Sequence, residues 1–256
     1  MSNLLSQEIV LIVGAAGLLG ASVTKYALEQ GATVVAVDLS VDQLQARLSS
    51  EGIDIGNAKL TCYSLDLTVE RDVIKFFGSG VKITGAVNCA YPRNKAYGAS
   101  FYDVKVNDFN ENVSLHLGSA FLFSQQCAKY FKRTSKPFSL VNISSIYGVV
   151  APKFEIYNET VMTMPVEYAA IKSAILHLNK YVAAYVNDSR FRINSVSPGG
   201  IRNSQPEKFL HKYKDQSLGK GMLDIEDVLG SIMFLLSKQS KYINGQNIIV
   251  DDGFSL

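Results

Sequence analysis

Short apolar runs rich in β-branched residues alternate along the whole chain with longer, partly apolar stretches. The first run, Ile9–Val13, contains no polar residue, which is typical of a parallel strand buried on both faces. Six further segments predict strands at Thr33–Val37, Lys59–Tyr63, Thr84–Asn88, Phe138–Ile143, Arg192–Val196 and Asn247–Val250.

The stretches between these strands predict helices. The first helix follows the first strand and ends at about Gln30. The others are predicted at Val41–Ser50, Val69–Phe77, Phe109–Phe131, Pro165–Val186 and Ile225–Leu236. Repeated strand–helix–strand units imply right-handed crossovers and a doubly wound parallel sheet with helices on both faces. No linker, internal repeat or low-complexity segment interrupts the pattern. We therefore expect an α/β fold with about seven strands in a single domain over residues 1–256.

Composition and charge narrow the class of protein. The 256 residues are 47% hydrophobic with a net charge of +2, which indicates a folded soluble protein without the basic excess of a nucleic-acid binder. No apolar run reaches the ~20 residues of a membrane span, and Ile9–Gly20 lacks the basic flank of a signal peptide. Cys62, Cys89 and Cys127 form no C-x-x-C pair and the histidines show no zinc spacing, so we expect reduced thiols, no metal and a cytoplasmic location.

A glycine-rich turn, Gly14-Ala15-Ala16-Gly17-Leu18-Leu19-Gly20, follows the first strand and opens a helix. Glycines there let the backbone approach a pyrophosphate, whose charge is favoured at a helix N-terminus. Asp38 ends the second strand, where a carboxylate accepts hydrogen bonds from the adenosine ribose and repels a 2′-phosphate. A helix N-cap is the alternative role for Asp38. Because no arginine follows it, we predict NAD rather than NADP, bound by Gly14, Ala16, Gly17, Leu18, Leu19, Gly20, Asp38 and Leu39.

Tyr168 and Lys172 are four residues apart in a predicted helix, which puts a phenol and an ammonium one turn apart on the same face. A nearby cation favours phenolate, so we expect the pKa of Tyr168 to fall from about 10 toward neutrality. Such a tyrosine can exchange a proton with a substrate oxygen. A second pair of this spacing, Tyr91 and Lys95, lies in a loop-like segment where Pro92 follows the tyrosine.

Further motifs accompany these two. They are Asn88-Cys89-Ala90, Asn142-Ile143-Ser144-Ser145, Ser197-Pro198-Gly199-Gly200 and Asp251-Asp252-Gly253. With the glycine turn and the Tyr168–Lys172 pair, their order resembles that of the short-chain dehydrogenase/reductase family over nearly the whole chain. The resemblance implies a Rossmann-like fold, a nicotinamide cofactor and reversible oxidation of an alcohol to a carbonyl.

The resemblance also implies roles for individual residues. Tyr168 would be the general acid/base, and Lys172 would lower its pKa and hold the nicotinamide ribose. Ser145 would hydrogen-bond the substrate oxygen, with Ser144 as the alternative. The remaining cofactor contacts fall on Asp66, Leu67, Asn88, Ala90, Pro198, Gly199 and Ile201.

The family's catalytic asparagine is not retained at its expected place. Matching Phe121–Gln125 to the family's equivalent stretch puts His116 at that position, with Asn112 one turn earlier as the alternative. His116 would hold a relay water or titrate near its ordinary pKa of about 6.5, and helix packing is its alternative role. We expect His116→Asn to keep the fold and to change the pH–rate profile below neutrality.

Two features leave the branch of the family open. The glycine spacing resembles that of the longer, two-part branch, which includes sugar-nucleotide epimerases and dehydratases, whereas the chain length and ending are those of the single-domain branch. We favour the single-domain branch because 256 residues leave no room for a separate substrate domain. Tyr91 stands where the family has a glycine, so this wall of the pocket should be bulkier.

The distance from Ser145 to Tyr168 is 23 positions (168 − 145), several more than the family usually has. We expect the extra segment, residues 148–165, to shape the substrate pocket or a lid, with a surface loop or oligomer contact as the alternative. A second substrate loop is expected near 199–220. The substrate candidates, which suit a sugar, sugar phosphate or sugar nucleotide, are Tyr91, Arg93, Tyr157 and Arg202, together with Lys95, Tyr97, Asn203 and Gln205.

Three segments, His116–Gly118, Ser145–Gly148 and Met164–Tyr168, are similar to those of bacterial members of the family associated with surface-glycan and flagellin modification. We therefore predict an enzyme, an NAD(P)-dependent oxidoreductase acting on a polar small molecule. The alternatives are an epimerase or dehydratase with transiently reduced NAD, and a non-catalytic sensor or scaffold, against which the intact Ser145 and Tyr168 argue. The resemblance also implies a homodimer or homotetramer.

Overall fold

Seven parallel strands form one central sheet in the computed structural model, which describes residues 3–256. The strands are β1 (Ile9–Val13), β2 (Thr33–Asp38), β3 (Leu60–Ser64), β4 (Gly85–Asn88), β5 (Phe138–Ile143), β6 (Phe191–Pro198) and β7 (Asn247–Val250). Their spatial order is β3-β2-β1-β4-β5-β6-β7. This arrangement confirms the predicted doubly wound, Rossmann-like sheet.

The helices follow the predicted alternation with two differences. They are α1 (Leu18–Glu29), α2 (Val41–Ser50), α3 (Glu70–Gly78), α4 (Val106–Asn112), α5 (Gly118–Thr134), α6 (Val166–Val186), α7 (Glu207–Asp215) and α8 (Glu226–Leu236). A π-helical turn, Val113–Leu117, joins α4 to α5 inside the stretch predicted as one helix. Helix α7 was not predicted and lies within the expected second substrate loop. Over residues 3–256, no helix is both long and apolar enough to cross a membrane.

Two apolar layers enclose the sheet, and β1 shows how the sequence sets them. Val10 and Ile12 point into the layer formed with α1, α2 and α8, whereas Leu11 and Val13 point into the layer formed with α3, α5 and α6. All four side chains are fully buried. A strand covered on both faces needs no alternation of apolar and polar residues, which explains the uninterrupted apolar run.

The strand order reverses between β1 and β4, where Val13 is in register with Asn88. The chain leaves these two neighbouring strands toward opposite halves of the sheet. In doubly wound sheets, a crevice suited to ligands opens at such a point, beyond the carboxyl ends of the strands. The glycine turn after Val13 and the Cys89–Arg93 segment after Asn88 form its walls.

Candidate active site

A cleft of about 850 Å³ opens at this reversal, and the glycine turn lines it. The turn is tight, because a Cβ added at Gly20 would lie 2.1 Å from the carbonyl oxygen of Gly14. Gly17, at the N-cap of α1, brings no side chain to cover the end of the helix. The first backbone N–H groups of α1 are therefore available to an anionic group such as a phosphate.

Asp38 lies in the same cleft and holds the glycine turn against β2. Its Oδ2 accepts from the backbone N of Ala16 at 2.8 Å, and its Oδ1 accepts from the backbone N of Leu39 at 2.8 Å. Each oxygen keeps a second lone pair that can accept from a ribose hydroxyl. The N-cap of α2 is Ser40, whose hydroxyl accepts from the N of Gln43, so the helix-cap role considered for Asp38 is wrong.

Most of the other predicted cofactor residues line the cleft or the pocket that adjoins it. Leu39, Asp66, Leu67, Ala90, Tyr168 and Ile201 line the cleft. Lys172, Pro198 and Gly199 line the adjoining pocket. Thr68 and Cys89, which were not predicted as cofactor residues, also line the cleft. In the sequence, the only indication of their position was that they are adjacent to the predicted cofactor residues Leu67 and Ala90.

Asn88 is the exception, because its side chain is buried and lines neither cavity. Its Nδ2 donates to Oδ1 of Asn142 at 3.2 Å, and its Oδ1 accepts from the backbone N of Ala90 at 3.2 Å. The Asn88 side chain is therefore used within the protein, and a contact of Asn88 with the cofactor stays a prediction. Asn88 supports the wall of the cleft at Ala90 from inside the protein.

The adjoining pocket, about 340 Å³, brings Ser145, Tyr168 and Lys172 together. Ser145 follows β5 at the start of a 3-10 turn, where its hydroxyl accepts from the N of Tyr147 at 3.2 Å. Tyr168 and Lys172 lie one turn apart in α6. The hydroxyl of Ser144 instead donates to the backbone oxygen of Lys172 at 2.8 Å, which ties α6 to the end of β5.

Helix α6 runs unusually close to the turn after Ser145. A Cβ added at Gly148 would lie 2.7 Å from the carbonyl carbon of Lys172 and 2.8 Å from its oxygen. Real side chains do not tolerate such approaches, so Gly148 is needed for this packing. The distance between Ser145 and the Tyr168–Lys172 pair therefore depends on a glycine outside the pocket.

Burial dominates the electrostatics of Tyr168 and Lys172. Burial raises the pKa of the Tyr168 phenol, and the nearby Ser145 hydroxyl only partly offsets this. Burial also lowers the pKa of Lys172 to about 8. The Lys172 Nζ lies 5.5 Å from the Tyr168 ring centroid and donates to the backbone oxygen of Ile143 at 2.8 Å. The expected fall of the Tyr168 pKa toward neutrality is therefore wrong for the folded chain, because desolvation outweighs the hydrogen bond with Ser145.

His116 lies in the π-helical turn, buried behind Lys172. Its Nε2 is 3.5 Å from the Lys172 Nζ, and its ring centroid is 5.0 Å from that of Tyr91. Burial, with the nearby Lys172 and Arg93 cations, lowers the pKa of His116 to about 2. The expectation that His116 titrates near neutrality is therefore wrong, whereas the expected change in the pH–rate profile of His116→Asn stays a prediction.

Asn112, the alternative to His116, is engaged elsewhere. Its Oδ1 accepts from the backbone N of Asn94 at 2.9 Å, and its Nδ2 donates to Oδ1 of Asn94 at 3.1 Å and to Oε1 of Glu167 at 3.4 Å. These contacts fasten the loop after β4 to the start of α6. Of the two candidates, only His116 contacts Lys172.

Four of the eight substrate candidates lie in different places. Tyr91 and Tyr157 line the reaction pocket, and the hydroxyl of Tyr157 donates to that of Tyr147 at 3.0 Å. Arg93 lines the cofactor cleft instead, and Arg202 lines a separate depression on the surface. Neither arginine lines the reaction pocket: the Cζ of Arg93 lies 4.9 Å from the Tyr91 ring centroid, and Arg202 shares its depression with Glu207 and His211 of α7. The predicted contribution of the two arginines to substrate binding is not supported.

Apolar and aromatic side chains make up the rest of the pocket wall. Four of these residues lie in the two segments expected to shape the pocket, namely Met162, Met164, Phe209 and Tyr213. The sequence did not single out Ile146, Tyr147 and Met222. Among the described residues that line the pocket, Lys172 is the only cation, and none is a carboxylate. The wall is therefore apolar surface interrupted by hydroxyl groups.

The extra segment before α6 and helix α7 form this wall together. Lys208 of α7 pairs with Glu159 at 2.6 Å, and the Nζ of Lys212 donates to the backbone oxygen of Asn158 at 2.8 Å. Beneath these exposed contacts, the rings of Tyr157 and Phe209 have centroids 5.2 Å apart. The two expected substrate segments thus pack on each other at the edge of the pocket.

Comparisons with known proteins agree with this geometry. A family profile described as "Enoyl-(Acyl carrier protein) reductase" matches residues 14–255. The chain is 36% identical to the post-translational flagellin modification protein A of Campylobacter coli, over 99% of this chain and 100% of that protein. It is 29% identical to a 7alpha-hydroxysteroid dehydrogenase of Bacteroides fragilis, over 99% of this chain and 96% of that protein.

A solved structure shows the same fold. The short-chain dehydrogenase of Leptospira borgpetersenii, crystallised with bound NAD+, superimposes with a TM-score of 0.86 at 28% identity, covering 98% of this chain and 94% of that one. The profile match, the full-length relatives and the parallel sheet all agree with the order of motifs along the sequence. The chain belongs to the short-chain dehydrogenase/reductase family of oxidoreductases.

Proposed function

We propose that this protein is an NAD-dependent oxidoreductase that interconverts an alcohol and a carbonyl, with Tyr168 as the general acid/base. The observation that carries the proposal is that Ser145, Tyr168 and Lys172 line one pocket, and that this pocket shares Tyr168 with a cleft shaped for a dinucleotide. Bound NAD would accept the hydride in the oxidative direction, and NADH would return it in the reductive one.

Tyr168 exchanges the proton. In carbonyl reduction its phenol O–H donates to the carbonyl oxygen, and in alcohol oxidation its phenolate takes the hydroxyl proton. Because burial raises the pKa of Tyr168, the protonated form dominates at neutral pH and suits reduction. Ser145 holds the substrate oxygen beside the phenol by a hydrogen bond.

Lys172 stabilises the phenolate through its charge, and two contacts fix its ammonium. One is its hydrogen bond to the Ile143 oxygen at 2.8 Å, and the other is the contact with Nε2 of His116 at 3.5 Å. A histidine with a pKa of about 2 is neutral throughout the working range, so its Nε2 can accept from the ammonium. His116 thus acts as a positioning residue for Lys172.

NAD is proposed over NADP because of Asp38. The carboxylate lines the cleft at the end of β2, where the adenosine ribose binds in this fold. A 2′-phosphate there would meet a like charge, since Asp38 and Asp66 line the same cleft.

For the substrate we propose a neutral, hydroxylated, sugar-like molecule used in glycan modification. Ser145, Tyr147 and Tyr157 line the pocket with hydroxyl groups, and the flagellin modification relative supports a role in glycan modification. The position of Arg93 and Arg202 outside the pocket removes the reason to expect an anionic group at the reacting end.

The apolar wall favours a second candidate, a hydroxylated apolar ring system such as a hydroxysteroid. Met162, Met164 and Met222 offer flexible apolar surface that adapts to such a ring. The Bacteroides fragilis relative is a dehydrogenase of this substrate class.

One assay separates these functions. The wild-type enzyme and Tyr168→Phe are incubated with NAD and neutral sugars, sugar nucleotides or hydroxysteroids, while NADH absorbance and the product are followed. Net NADH formation that is lost in Tyr168→Phe supports the proposal, and the active substrate class chooses between the two candidates. Substrate conversion without net NADH would indicate an epimerase or dehydratase instead. Tight NADH binding with no conversion of any class would favour a sensor or scaffold.

We further propose that copies of the chain associate through the outer face of α5 and α6. Tyr181 and Tyr185 stack there at 6.1 Å with 62% and 78% of their surface exposed, next to Phe121 at 49%. Exposed aromatic patches of this kind are typical of subunit contacts. Light scattering of Tyr185→Glu should report a smaller particle than the wild-type protein, and an unchanged particle would contradict this contact.

A further inference from the structure

The Arg93 guanidinium lies against two tyrosine rings at the edge of the cofactor cleft. Its Cζ is 4.9 Å from the ring centroid of Tyr91 and 6.0 Å from that of Tyr97. Within residues 3–256, none of the ion pairs includes Arg93, and no side-chain hydrogen bond uses its guanidinium. The five N–H donors of this group are thus held in place by stacking and remain available to a ligand.

The loop that carries Arg93 is anchored on both sides. The backbone N of Asn94 donates to Oδ1 of Asn112 at 2.9 Å, and its Nδ2 donates to Oε2 of Glu111 at 2.7 Å. The Tyr91 ring packs edge-on against Tyr168, with centroids 5.7 Å apart. Arg93 therefore projects from a fixed point of the backbone.

The same segment begins in direct contact with the glycine turn. A Cβ added at Gly14 would lie 2.7 Å from the backbone N of Ala90, so the two backbone segments are in direct contact at that point. Arg93 follows Ala90 by three residues and lines the cleft together with Gly14 and Gly17. The guanidinium is thus on the wall of the cleft that adjoins the turn suited to phosphate.

Arg93 brings a positive charge to the wall of the cofactor cleft. Among the described residues that line it, Arg93 is the only cation, while Asp38 and Asp66 are the carboxylates. A dinucleotide would bring two phosphate charges into this cleft. The planar fork of a guanidinium matches phosphate oxygens in a bidentate manner, which a backbone turn cannot supply.

We propose that Arg93 binds the diphosphate of the dinucleotide, and that it is a cofactor residue instead of the substrate residue expected from the sequence. Tyr91 and Tyr97 serve as the platform on which the guanidinium rests. The inference rests on the proposed function in one respect, namely that a dinucleotide occupies the cleft.

The test compares Arg93→Met with Lys95→Met, a matched loss of one exposed cation two residues further along the same loop. Although Lys95 was a substrate candidate, it lines neither the cleft nor the reaction pocket. Dissociation constants are measured for NADH by nicotinamide fluorescence, and for ADP-ribose and adenosine by calorimetry. We expect Arg93→Met to weaken NADH and ADP-ribose about 10-fold or more, the loss typical of one charge-assisted contact. Adenosine, which lacks phosphate, should bind unchanged, and Lys95→Met should match the wild type. The NADH affinity of Arg93→Lys should lie between those of the wild type and Arg93→Met.

Three results would overturn the inference. One is equal NADH affinity in Arg93→Met and Lys95→Met, and another is an equal loss for adenosine. The third is an unchanged NADH affinity with a raised KM for the alcohol, which would indicate that Arg93 binds the substrate. Circular dichroism and melting of Arg93→Met exclude a folding defect. If wild-type protein binds neither NADH nor ADP-ribose, the proposed function fails as well, whereas wild-type binding that Arg93→Met leaves intact removes this inference alone.

Discussion

Nε2 of His116 lies 3.5 Å from Nζ of Lys172, behind the reaction pocket and out of contact with solvent. Two nitrogen bases this close do not both carry a proton charge at neutral pH. The structure resolves the conflict in favour of the lysine, since His116 has a pKa of about 2 and Lys172 one of about 8. The histidine is therefore a fixed neutral acceptor.

This arrangement predicts an acid-sensitive stability that depends on His116. Its pKa is about 2 in the folded chain against an ordinary 6.5, so between these values the unfolded chain binds a proton that the folded chain does not. The free energy of unfolding should fall as the pH drops below 6.5, by up to about 1.4 kcal/mol per pH unit from this residue alone. Urea unfolding of wild type and His116→Asn from pH 7.5 to 4.5 should give curves that converge toward acid. Parallel curves would mean that His116 takes up its proton in the folded state.

Tyr168→Phe should remove the proton exchange and leave the fold and the cofactor cleft in place. General acid/base groups contribute about 10²–10⁴-fold to rates, so turnover should fall by at least that range. The dissociation constant for NADH should stay within about 3-fold, because the phenol oxygen is one contact among many. Tyr242→Phe, at a position that is 87% exposed and lines neither cavity, is the matched control and should keep full activity. Comparable turnover in the two variants would rule out Tyr168 as the acid/base.

A buried amide network behind the site should be a major source of stability. Asn88, Asn142 and Ser195 are neighbours in register across β4, β5 and β6. Asn179 of α6 accepts from Nδ2 of Asn142 at 2.8 Å and donates to the Ser195 hydroxyl. Asn179→Ala removes the partner of the Ser195 hydroxyl and leaves Nδ2 of Asn142 with only the Ser124 hydroxyl at 3.4 Å, and it should cost about 2–4 kcal/mol, measured by chemical unfolding. Lys180→Ala, exposed on the next position, should change stability by less than about 0.5 kcal/mol. If Asn179→Ala and Lys180→Ala lower the free energy of unfolding by equally small amounts, the network does not stabilise the packing of α6.

Gly148→Ala should disturb the geometry of the active residues without touching them. The added methyl group meets the backbone of Lys172 at 2.7 Å, so α6 must shift away from Ser145. A displacement of this kind is expected to lower kcat about 10²-fold while NADH still binds. Gly230→Ala in α8, where a Cβ meets nothing within 4 Å, is the control and should be neutral or slightly stabilising. Normal kcat in Gly148→Ala would show that the spacing is not critical.

The strands and the Tyr168 helix were predictable because their signals are local. A buried parallel strand needs a continuous apolar run, as in Ile9–Val13, and a helical pair needs only its spacing. The same holds for the glycine turn, which follows a strand directly. Helix α7 was missed because its short sequence contains only two buried positions, Phe209 and Tyr213, among charged neighbours.

The electrostatics and the pocket wall were not predictable, because both depend on tertiary packing. Spacing alone indicated a lowered pKa for Tyr168 and an ordinary one for His116, whereas burial reverses the first and changes the second. The sequence also does not show which cavity Arg93 and Arg202 line, and in the structure both lie outside the reaction pocket. Both pKa shifts arise from desolvation, which depends on the packing of the whole folded chain.

The central claim is that the cleft beside Tyr168 binds NAD, and titration of the protein with NADH and NADPH in turn tests it most directly. Nicotinamide fluorescence is followed for the wild type and for Asp38→Asn, which keeps an acceptor for Ala16 but loses the charge. We predict that NADH binds at least about 10-fold more tightly than NADPH, and that Asp38→Asn narrows this preference. Tighter binding of NADPH would contradict the role given to Asp38, and binding of neither would contradict the oxidoreductase account itself.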